Sequence, residues 1–375
     1  MAATERVTRA RPREMVAVSP TSFVGGAESA LLTLLVAARA DGWRATVVTP
    51  AGEFADRLRD EGFAVVPLPD LKLPAGPRVT GAVVALGRSV QAGLVVRRAA
   101  AGADLVLANG TRVLPAVALA RVPCPTIHLV RDVIVRRSWR ALLRVFGRSA
   151  TLAVAASDAG ARPLRDLGLA VRVVHHGVRW PVPPAPTDRD GAPVMGLAAG
   201  LTPLKGQHVA IDALARLARD DVVLELAGAA FSKDREYEAA LRSRAARPDV
   251  AGRVRFLGHE PDVLAVMRRW SVALVPSTRP DLVPLSMLEA MSVGVPVVAA
   301  DHGGPSELLG AAGLLVAPDD PEAVAVAVDR LLADDRLARQ CGQAGMDAVE
   351  HHFNTAREQR ELVATLDEVA TGAGR

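Results

Sequence analysis

Short apolar runs alternate with segments of helical periodicity along almost the whole chain. The apolar runs carry no regular polar alternation, which is typical of strands covered on both faces, as in a parallel sheet. This pattern predicts strands at 15–18, 45–49, 64–67, 104–108, 126–130, 152–156 and 171–175, and again at 194–198, 222–227, 254–257, 272–275, 297–299 and 313–316. Helical periodicity lies between them, as at 27–40 and 54–61, and Gly42 and Gly62 stand where those two helices should end.

The strand–helix pattern is interrupted once, by the densest proline cluster of the chain at 180–186. A proline-rich stretch of this kind is typical of a domain linker. We therefore predict an α/β protein in which two doubly wound Rossmann-like domains face each other across a cleft. The predicted segments are a disordered tail at 1–14, an N-terminal domain at 15–178, a linker at 179–193, a C-terminal domain at 194–350, and a final helical segment at 351–375 that packs back on the first domain.

Composition narrows the class of protein. Of the 375 residues, 50% are hydrophobic and 23% charged, which excludes an intrinsically disordered chain. The formal net charge of +4 suits anionic small ligands or an anionic membrane surface, but with 3% aromatic residues it is too small to indicate nucleic-acid binding. No apolar run is long enough to span a bilayer, and no apolar core precedes Glu14, so neither a membrane span nor a signal peptide is expected.

Two further features concern the location of the protein. Cys124 and Cys341 have no neighbours at metal-ligand spacing, and two free thiols fit a reducing cytoplasm.

A basic face is predicted within 136–148, where four arginines recur at helical spacing beside apolar residues: Arg136, Arg140, Arg144 and Arg148, with Trp139, Leu142, Leu143 and Phe146. This face could lie against anionic lipid headgroups at the inner membrane, or it could be an ordinary solvated surface.

Two glycine-containing turns are candidate anion sites. Gly25 and Gly26 follow the first strand and open a long helix, where glycines let a ligand approach the backbone and the helix N-terminus offers unpaired N–H groups. Lys205, beside Gly206, follows the first strand of the second domain and is placed to neutralise a phosphate. The alternative for Gly25 and Gly26 is a tight strand–helix turn without a ligand. The alternative for Lys205 is a plain surface lysine.

The segment 276–296 contains the most informative carboxylates. Pro284 suits the first turn of a helix, which places Asp281 in the loop ahead and Glu289 inside that helix. Asp281 could accept hydrogen bonds from sugar hydroxyls or cap the helix, and Glu289 could reach into the cleft or face solvent. His128 lies in a predicted strand, where a lone histidine is more often a core or rim residue than a catalytic one. Glycines within 301–307 again follow a strand, as a ligand-binding or a plain connecting turn.

In this order the motifs resemble the pattern of glycosyltransferase family 4 over nearly all of residues 15–350. The resemblance is carried by Gly25-Gly26-Ala27-Glu28, His128, Lys205-Gly206, Phe256-Leu257-Gly258, Asp281 to Glu289, Gly303 to Glu307, and Gly313 to Asp319. It implies the two-domain GT-B fold and a retaining, metal-independent transferase of the hexosyltransferase type. The N-terminal domain would bind the acceptor and the C-terminal domain the nucleotide-sugar. The expected donor is a UDP- or GDP-sugar, the acceptor is an unidentified glycolipid, polysaccharide or small-molecule natural product, and no cofactor is expected.

The resemblance also implies roles for single residues. Lys205 would hold the donor diphosphate, Glu289 the ribose and Asp281 the hydroxyls of the donor sugar, while Gly26 and His128 would line the reacting sugar. His128, Asp281 and Lys205 are thus the expected catalytic residues. The implied donor-binding residues are Gly25, Gly26, Gly200, Lys205, Gly258, Val283, Leu285, Ser286 and Glu289, with the backbone at Gly258 facing the base.

Two positions depart from the family pattern, which usually has glutamate at Asp281 and arginine at Gly200. The shorter carboxylate changes the reach to the sugar, and the missing cation removes a diphosphate contact that Lys205 or Arg131 would have to replace. A sugar-nucleotide epimerase, a sugar phosphorylase on the same fold, and a non-catalytic nucleotide-sugar-binding subunit are therefore the alternatives.

Overall fold

The computed structural model describes residues 11–69, 71, 78–131, 137–182 and 191–372, without the side chains at 78–83, 137, 138 and 233. The chain divides into two compact units. The first unit comprises Met1–Ala156, Gly160–Val174 and Gln359–Arg375, and the second comprises Ser157–Ala159 and His175–Glu358. The first ten residues of the predicted tail and residues 183–190 of the predicted linker lie outside the described residues.

The first unit is built on one parallel sheet. Its elements are β1 (Arg13–Val18), α1 (Gly26–Ala40), β2 (Trp43–Thr49), α2 (Glu53–Asp60), β3 (Ala64–Pro67), α3 (Arg78–Ala99), β4 (Leu105–Asn109), α4 (Leu114–Ala120), β5 (Thr126–Leu129), α5 (Arg137–Phe146), β6 (Leu152–Ala155), α6 (Asp158–Arg165) and β7 (Val171–Val173). The seven strands follow the order β3-β2-β1-β4-β5-β6-β7. Every residue of β4 and β5 is buried, as expected for strands that helices cover on both faces.

The second unit repeats this design with six parallel strands. Its elements are β8 (Val194–Ala198), α7 (Gln207–Leu214), β9 (Val223–Ala227), α8 (Arg235–Ala245), β10 (Val254–Gly258), α9 (Val263–Met267), β11 (Val272–Val275), α10 (Leu285–Ser292), β12 (Val297–Ala300), α11 (Gly304–Leu308), β13 (Gly313–Val316), α12 (Pro321–Ala333), α13 (Asp335–His351) and the start of α14 (Thr355–Thr371). The strand order is β10-β9-β8-β11-β12-β13. None of the described helices is long and apolar enough to cross a bilayer.

Each sheet reverses its strand order once, between β1 and β4 in the first unit and between β8 and β11 in the second. Loops that leave adjacent strands at such a point run to opposite sides of the sheet and open a crevice at the carboxyl ends. The loops after β1, β4, β8 and β11 are therefore the places where a ligand is expected.

The last helix, α14, contributes to the core of the first unit. Leu362 and Leu366 are buried in the same apolar cluster as Met15 and Trp43. Asp367 lies at the edge of this cluster, where it pairs with Arg13 and accepts a hydrogen bond from Trp43 Nε1 at 3.0 Å. Residues 13 and 14, which were placed in the predicted tail, are the first two residues of β1 and pair with Trp43 and Arg44 of β2.

Candidate active site

The turn that carries Lys205 follows β8 directly. Residues Pro203–Lys205 form a single 3-10 turn, capped by the Thr202 hydroxyl, which accepts a hydrogen bond from the Leu204 N–H at 3.2 Å. Gly206, with a φ of +72°, is the N-cap of α7. A Cβ at Gly206 would stand 1.9 Å from the carbonyl oxygen of Pro276, so both the backbone conformation and the close approach require glycine.

Residues 276–284, here called the Asp281 loop, follow β11 and lie beside the Lys205 turn. Lys205 Nζ donates a hydrogen bond to Asp281 Oδ2, and Asp281 Oδ1 accepts one from the Leu282 N–H at 2.9 Å. Both side chains of the ion pair are partly exposed. The ammonium has three donors, so it can bind a phosphate while it keeps, or exchanges, its carboxylate partner.

The glycines within 301–307 support the Asp281 loop from the other side. The Gly304 N–H donates to the carbonyl oxygen of Asp281 at 2.8 Å, and His302 Nε2 donates to that of Ser277 at 2.7 Å. A Cβ at Gly303 would stand 2.4 Å from the Asp281 carbonyl oxygen, and one at Gly304 would stand 2.0 Å from that of Leu282. These glycines allow a close backbone contact that positions Asp281.

Helix α10 begins at Leu285, one residue later than predicted, because Pro284 is its N-cap. Leu285 is exposed and Ser286 half-buried, so the first turn is open to a ligand. An N-terminal turn offers backbone N–H groups and a positive dipole end to an anion. Val283, which the resemblance placed among the donor-binding residues, is buried.

Glu289 lies one turn into α10 between the fully buried Leu288 and Ala290. Burial raises the pKa of the Glu289 carboxyl above its ordinary value. Within the described part of the chain, no side-chain hydrogen bond or ion pair involves this carboxylate. An unpaired, partly desolvated carboxylate is a strong acceptor for hydroxyl groups.

The space beside Gly200 is occupied by an aromatic side chain. A Cβ at Gly200 would stand 3.2 Å from the ring of Phe231, whose side chain is 62% exposed. The Gly200 carbonyl oxygen accepts a hydrogen bond from Gln207 Nε2 at 3.0 Å. An arginine at 200 would therefore require the Phe231 ring to move.

Gly258 ends β10 with a φ of +77°, and open space surrounds the position where its Cβ would be. Its carbonyl oxygen accepts a hydrogen bond from the Gly228 N–H at 2.6 Å. The neighbouring loop after β9 thus holds the Gly258 backbone in place while its outer side stays accessible.

In the first unit, Gly25 is the N-cap of α1 and Gly26 its first residue. A Cβ at Gly25 would stand 3.1 Å from Glu28 Oε2, whereas nothing lies within 4 Å of the Cβ position at Gly26. Glu28 is 4% exposed and accepts a hydrogen bond from the Thr21 hydroxyl. The backbone at Gly26 is therefore the part of this motif that a ligand can approach.

His128 is 1% exposed at the end of β5, with its Nε2 atom 3.4 Å from the Thr111 hydroxyl. Burial, with a smaller contribution from the charge of Arg131, lowers the pKa of His128 to about 3. The imidazole is neutral at physiological pH, and it can take part in hydrogen bonding but cannot serve as a base with a pKa near 7.

A chain of polar side chains that the sequence analysis missed joins the ends of β1 and β4. Arg131 Nε donates to Asn109 Oδ1 at 3.0 Å, and Asn109 Nδ2 donates to the Ser19 hydroxyl at 3.4 Å. Ser19 and Asn109 are both buried. The sequence signal for this chain was a polar residue at the carboxyl end of an apolar strand, as at Asn109. Such residues could have been predicted to meet, because the carboxyl ends of β1 and β4 lie together at the switch point.

The predicted basic face corresponds to α5, although Arg136 lies outside the described residues. Leu143 is fully buried, and three half-buried apolar side chains pack on the same core: Trp139, Leu142 and Phe146. Arg140 lies 3.8 Å from Asp166, and Arg144 and Arg148 are exposed. Val145 is 69% exposed, so the open face of this helix presents one apolar side chain beside the arginines.

Two family models match this chain. The model of Glycosyltransferase Family 4 matches residues 24–179, and the model of Glycosyl transferases group 1 matches residues 192–334. Together they account for most of both units. The chain belongs to glycosyltransferase family 4. The predicted family is confirmed.

A solved structure of another protein has the same fold as this chain over nearly its full length. Anabaena Alr3699/HepE in complex with UDP superimposes with a TM-score of 0.80, over 95% of this chain and 100% of that one, at 23% identity. The predicted fold class, an α/β protein with two Rossmann-like domains of the GT-B type, is confirmed.

Curated relatives match only part of this chain, and only part of their own length is matched. The lipopolysaccharide core biosynthesis mannosyltransferase LpsB of Rhizobium meliloti is 29% identical over 169 residues, which are 44% of this chain and 48% of that protein. The D-inositol 3-phosphate glycosyltransferase of Corynebacterium efficiens is 34% identical over 190 residues, which are 48% of this chain and 44% of that protein. In these matches the chain spans less than half of the relatives' length.

The low pKa of His128 predicts a pH-dependent stability. Between pH 6.5 and about 3 the unfolded chain binds a proton at this side chain that the folded chain does not, so the folded state loses stability as the pH falls. Below pH 6 the loss of unfolding free energy caused by His128 approaches about 1.4 kcal/mol per pH unit. Urea unfolding from pH 7.5 to pH 4.5 should give a flatter pH profile for His128→Gln than for the wild type. The exposed His259→Gln should keep the wild-type profile, and parallel profiles for His128→Gln and wild type would contradict the assignment.

The close contact at Gly304 predicts a large effect of one methyl group. Gly304→Ala should lower the free energy of unfolding by about 1–3 kcal/mol, because the Cβ would overlap the Leu282 carbonyl oxygen and displace the Asp281 loop. Urea denaturation measures this change. Gly87→Ala, in the exposed middle of α3 with open space at its Cβ, is the matched control and should gain up to about 1 kcal/mol. Equal stability of Gly304→Ala and wild type would refute this role of the glycine.

Proposed function

We propose that this glycosyltransferase moves a sugar, with retention of configuration, from a nucleoside-diphosphate sugar to a hydroxyl acceptor. The observation that carries the proposal is the group of three features at the β8/β11 switch point: the Lys205 turn, the Asp281 loop and the N-terminus of α10. A cation and a helix N-terminus together suit a diphosphate.

The proposed donor is a UDP-sugar, bound in the second unit. Lys205 and the first turn of α10, at Leu285 and Ser286, bind the diphosphate. Glu289 accepts hydrogen bonds from the ribose hydroxyls, and the open backbone at Gly258 contacts the base. The choice of UDP is supported by solved structures of Anabaena Alr3699/HepE in complex with UDP and with UDP-glucose.

In the proposed reaction the bond between the anomeric carbon and the diphosphate breaks, and a bond to the acceptor oxygen forms. Negative charge then develops on the diphosphate, where Lys205 and the α10 dipole are already oriented to stabilise it. With a pKa of about 3, His128 does not retain a proton at neutral pH, and Asp281 is paired with Lys205. The departing diphosphate oxygen is therefore the proposed acceptor of the hydroxyl proton, and no metal ion takes part in the proposed reaction.

The proposed location is the cytoplasm, with α5 as a surface for anionic membranes. Exposed Arg144 and Arg148 supply the positive charge for such a contact.

Donor binding tests the proposal directly. Calorimetric titration with UDP, GDP and ADP, followed by assays with the matching sugar nucleotides, should show binding and consumption of at least one donor. Lys205→Met and Glu289→Gln should each weaken binding of that nucleotide by about tenfold or more, since each removes a charged hydrogen-bonding partner. Glu236→Gln, an exposed acid on α8, is the control for Glu289 and should bind as the wild type does.

Three results would count against the proposed reaction. Failure of every donor to bind would exclude nucleotide-sugar transfer. A product that forms without a separate acceptor, or only with phosphate, would indicate an epimerase or a phosphorylase. Activity unchanged in Asp281→Ala would indicate that Asp281 does not contact the donor sugar, and it would favour a non-catalytic nucleotide-sugar-binding subunit.

The contact between Gly200 and Phe231 predicts coupling between these positions. Gly200→Arg alone should gain little affinity for UDP, because Phe231 occupies the space beside it. In a Phe231→Ala background the same arginine should tighten UDP binding by about tenfold through a new phosphate contact. Calorimetry of the single and double variants measures the coupling, with Gly200→Met as the uncharged control. Purely additive effects would contradict it.

A further inference from the structure

The Lys205 turn is held from two sides. On one side Thr278 of the Asp281 loop donates hydrogen bonds from its N–H and its hydroxyl to carbonyl oxygens of the turn, at 3.0 and 3.1 Å. On the other side Gln207, at the start of α7, donates from Nε2 to the Gly200 carbonyl oxygen at 3.0 Å. This second bond, here called the Gln207 clamp, closes residues 200–207 into a loop around Lys205.

Gln207 is a fully buried polar side chain, so both ends of its carboxamide need partners inside the protein. Its Oε1 atom lies 3.3 Å from the hydroxyl of Tyr237 on α8, the one tyrosine of the chain. Burial raises the pKa of Tyr237 to about 12, so this hydroxyl keeps its proton at physiological pH. The clamp is therefore connected to α8 through a hydroxyl that can donate.

The Tyr237 hydroxyl is shared with His208. The His208 backbone N–H donates to the tyrosine oxygen at 3.3 Å, and His208 Nδ1 lies 2.9 Å from the same oxygen. On the other side of the ring, Nε2 lies 3.7 Å from Asp319 Oδ1, and the His208 side chain is 40% exposed. Among the described residues, Tyr237 from α8 and Asp319 from the turn before α12 are the titratable groups that contact His208. Further along α7, Asp212 is paired with Arg244 of α8.

The Tyr237 hydroxyl has one proton and two acceptors. When His208 is neutral and carries its proton on Nε2, toward Asp319, Nδ1 is an acceptor, and the hydroxyl donates to it over the shorter distance. When a proton from water binds at Nδ1, that atom donates to the tyrosine oxygen, and the hydroxyl proton turns to Gln207 Oε1. Protonation of His208 thus gives the buried carboxamide its second hydrogen bond, and successive hydrogen bonds strengthen one another.

We propose that Gln207 is a positioning residue for Lys205, and that His208 controls the strength of the Gln207 clamp with pH through the Tyr237 hydroxyl. The inference rests on the proposed function, since the clamped turn is the one proposed to bind the donor diphosphate. A turn that is already fixed loses less conformational freedom when a ligand binds. The donor therefore binds more tightly when His208 is protonated, which means at the lower pH.

The clamp is tested without a ligand, by hydrogen exchange of the turn amides in the full-length protein at pH 6. Gln207→Met keeps an unbranched side chain of similar size without hydrogen bonds, and Tyr237→Phe removes only the hydroxyl. In both variants the amides of Leu204 and Lys205 should exchange about fivefold or more faster than in the wild type, as for one lost hydrogen bond. Wild-type protection in both variants would overturn the clamp. If Gln207→Met does not fold, Tyr237→Phe decides.

The pH dependence is tested by calorimetry with UDP-glucose, whose phosphate charges stay the same between pH 6 and pH 8. From pH 8 to pH 6 the affinity of the wild type should rise by about three- to tenfold relative to that of His208→Gln, the range for one hydrogen bond. Tyr237→Phe should follow His208→Gln, because it lacks the hydroxyl. Glu289, whose pKa is raised by burial, is present in every variant, so its own titration cancels in the comparison. His351→Gln, exposed at the end of α13, is the control and should keep the wild-type profile.

The outcomes separate this inference from the proposed function. Parallel pH profiles of the wild type, His208→Gln and Tyr237→Phe would overturn the role of His208, and wild-type affinity of Gln207→Met would overturn that of Gln207. Failure of the wild type to bind UDP-glucose at either pH would refute the proposed UDP-sugar donor. Faster exchange in Gln207→Met would still establish the clamp in that case, and the same exchange measured at pH 6 and pH 8 would test His208.

Discussion

The parallel direction of the strands determines where a ligand can bind in this chain. A strand can be followed by a parallel neighbour only after a crossover, so all strands of a sheet deliver their loops to the same edge. The single reversal of strand order in each sheet then separates two adjacent loops and opens a crevice between them. The Lys205 turn and the Asp281 loop leave the strands on either side of that reversal in the second unit, and Ser19 and Asn109 do so in the first.

A crevice of this kind is useful only if its loops hold their shape. The Asp281 loop is fixed by backbone contacts on two sides, with Gly206 against Pro276 and Gly304 against Leu282. No side chain larger than hydrogen fits at either contact. The Asp281 carboxylate and the start of α10 are therefore positioned before a ligand arrives, which is the condition under which fixed charges stabilise a developing charge most effectively.

The two units differ in which polar and charged side chains remain available to a ligand. In the second unit Lys205 and Glu289 remain available to a ligand, one as a partly exposed cation and the other as a carboxylate whose pKa is raised by burial. In the first unit burial keeps His128 neutral, and Asn109 is engaged in a hydrogen bond with Arg131.

Local sequence determined the strands and the family. The strand at 194–198 could be predicted to the residue because an unbroken apolar run between turn residues has few other stable structures, and the order of the motifs sufficed for the family. Long-range contacts decided the rest. The pairing of Lys205 with Asp281 spans 76 positions and that of Arg13 with Asp367 spans 354, and no periodicity encodes which distant side chains will meet. The role of Gly304 likewise exists only once separate loops pack together, because steric contact is a property of the folded backbone.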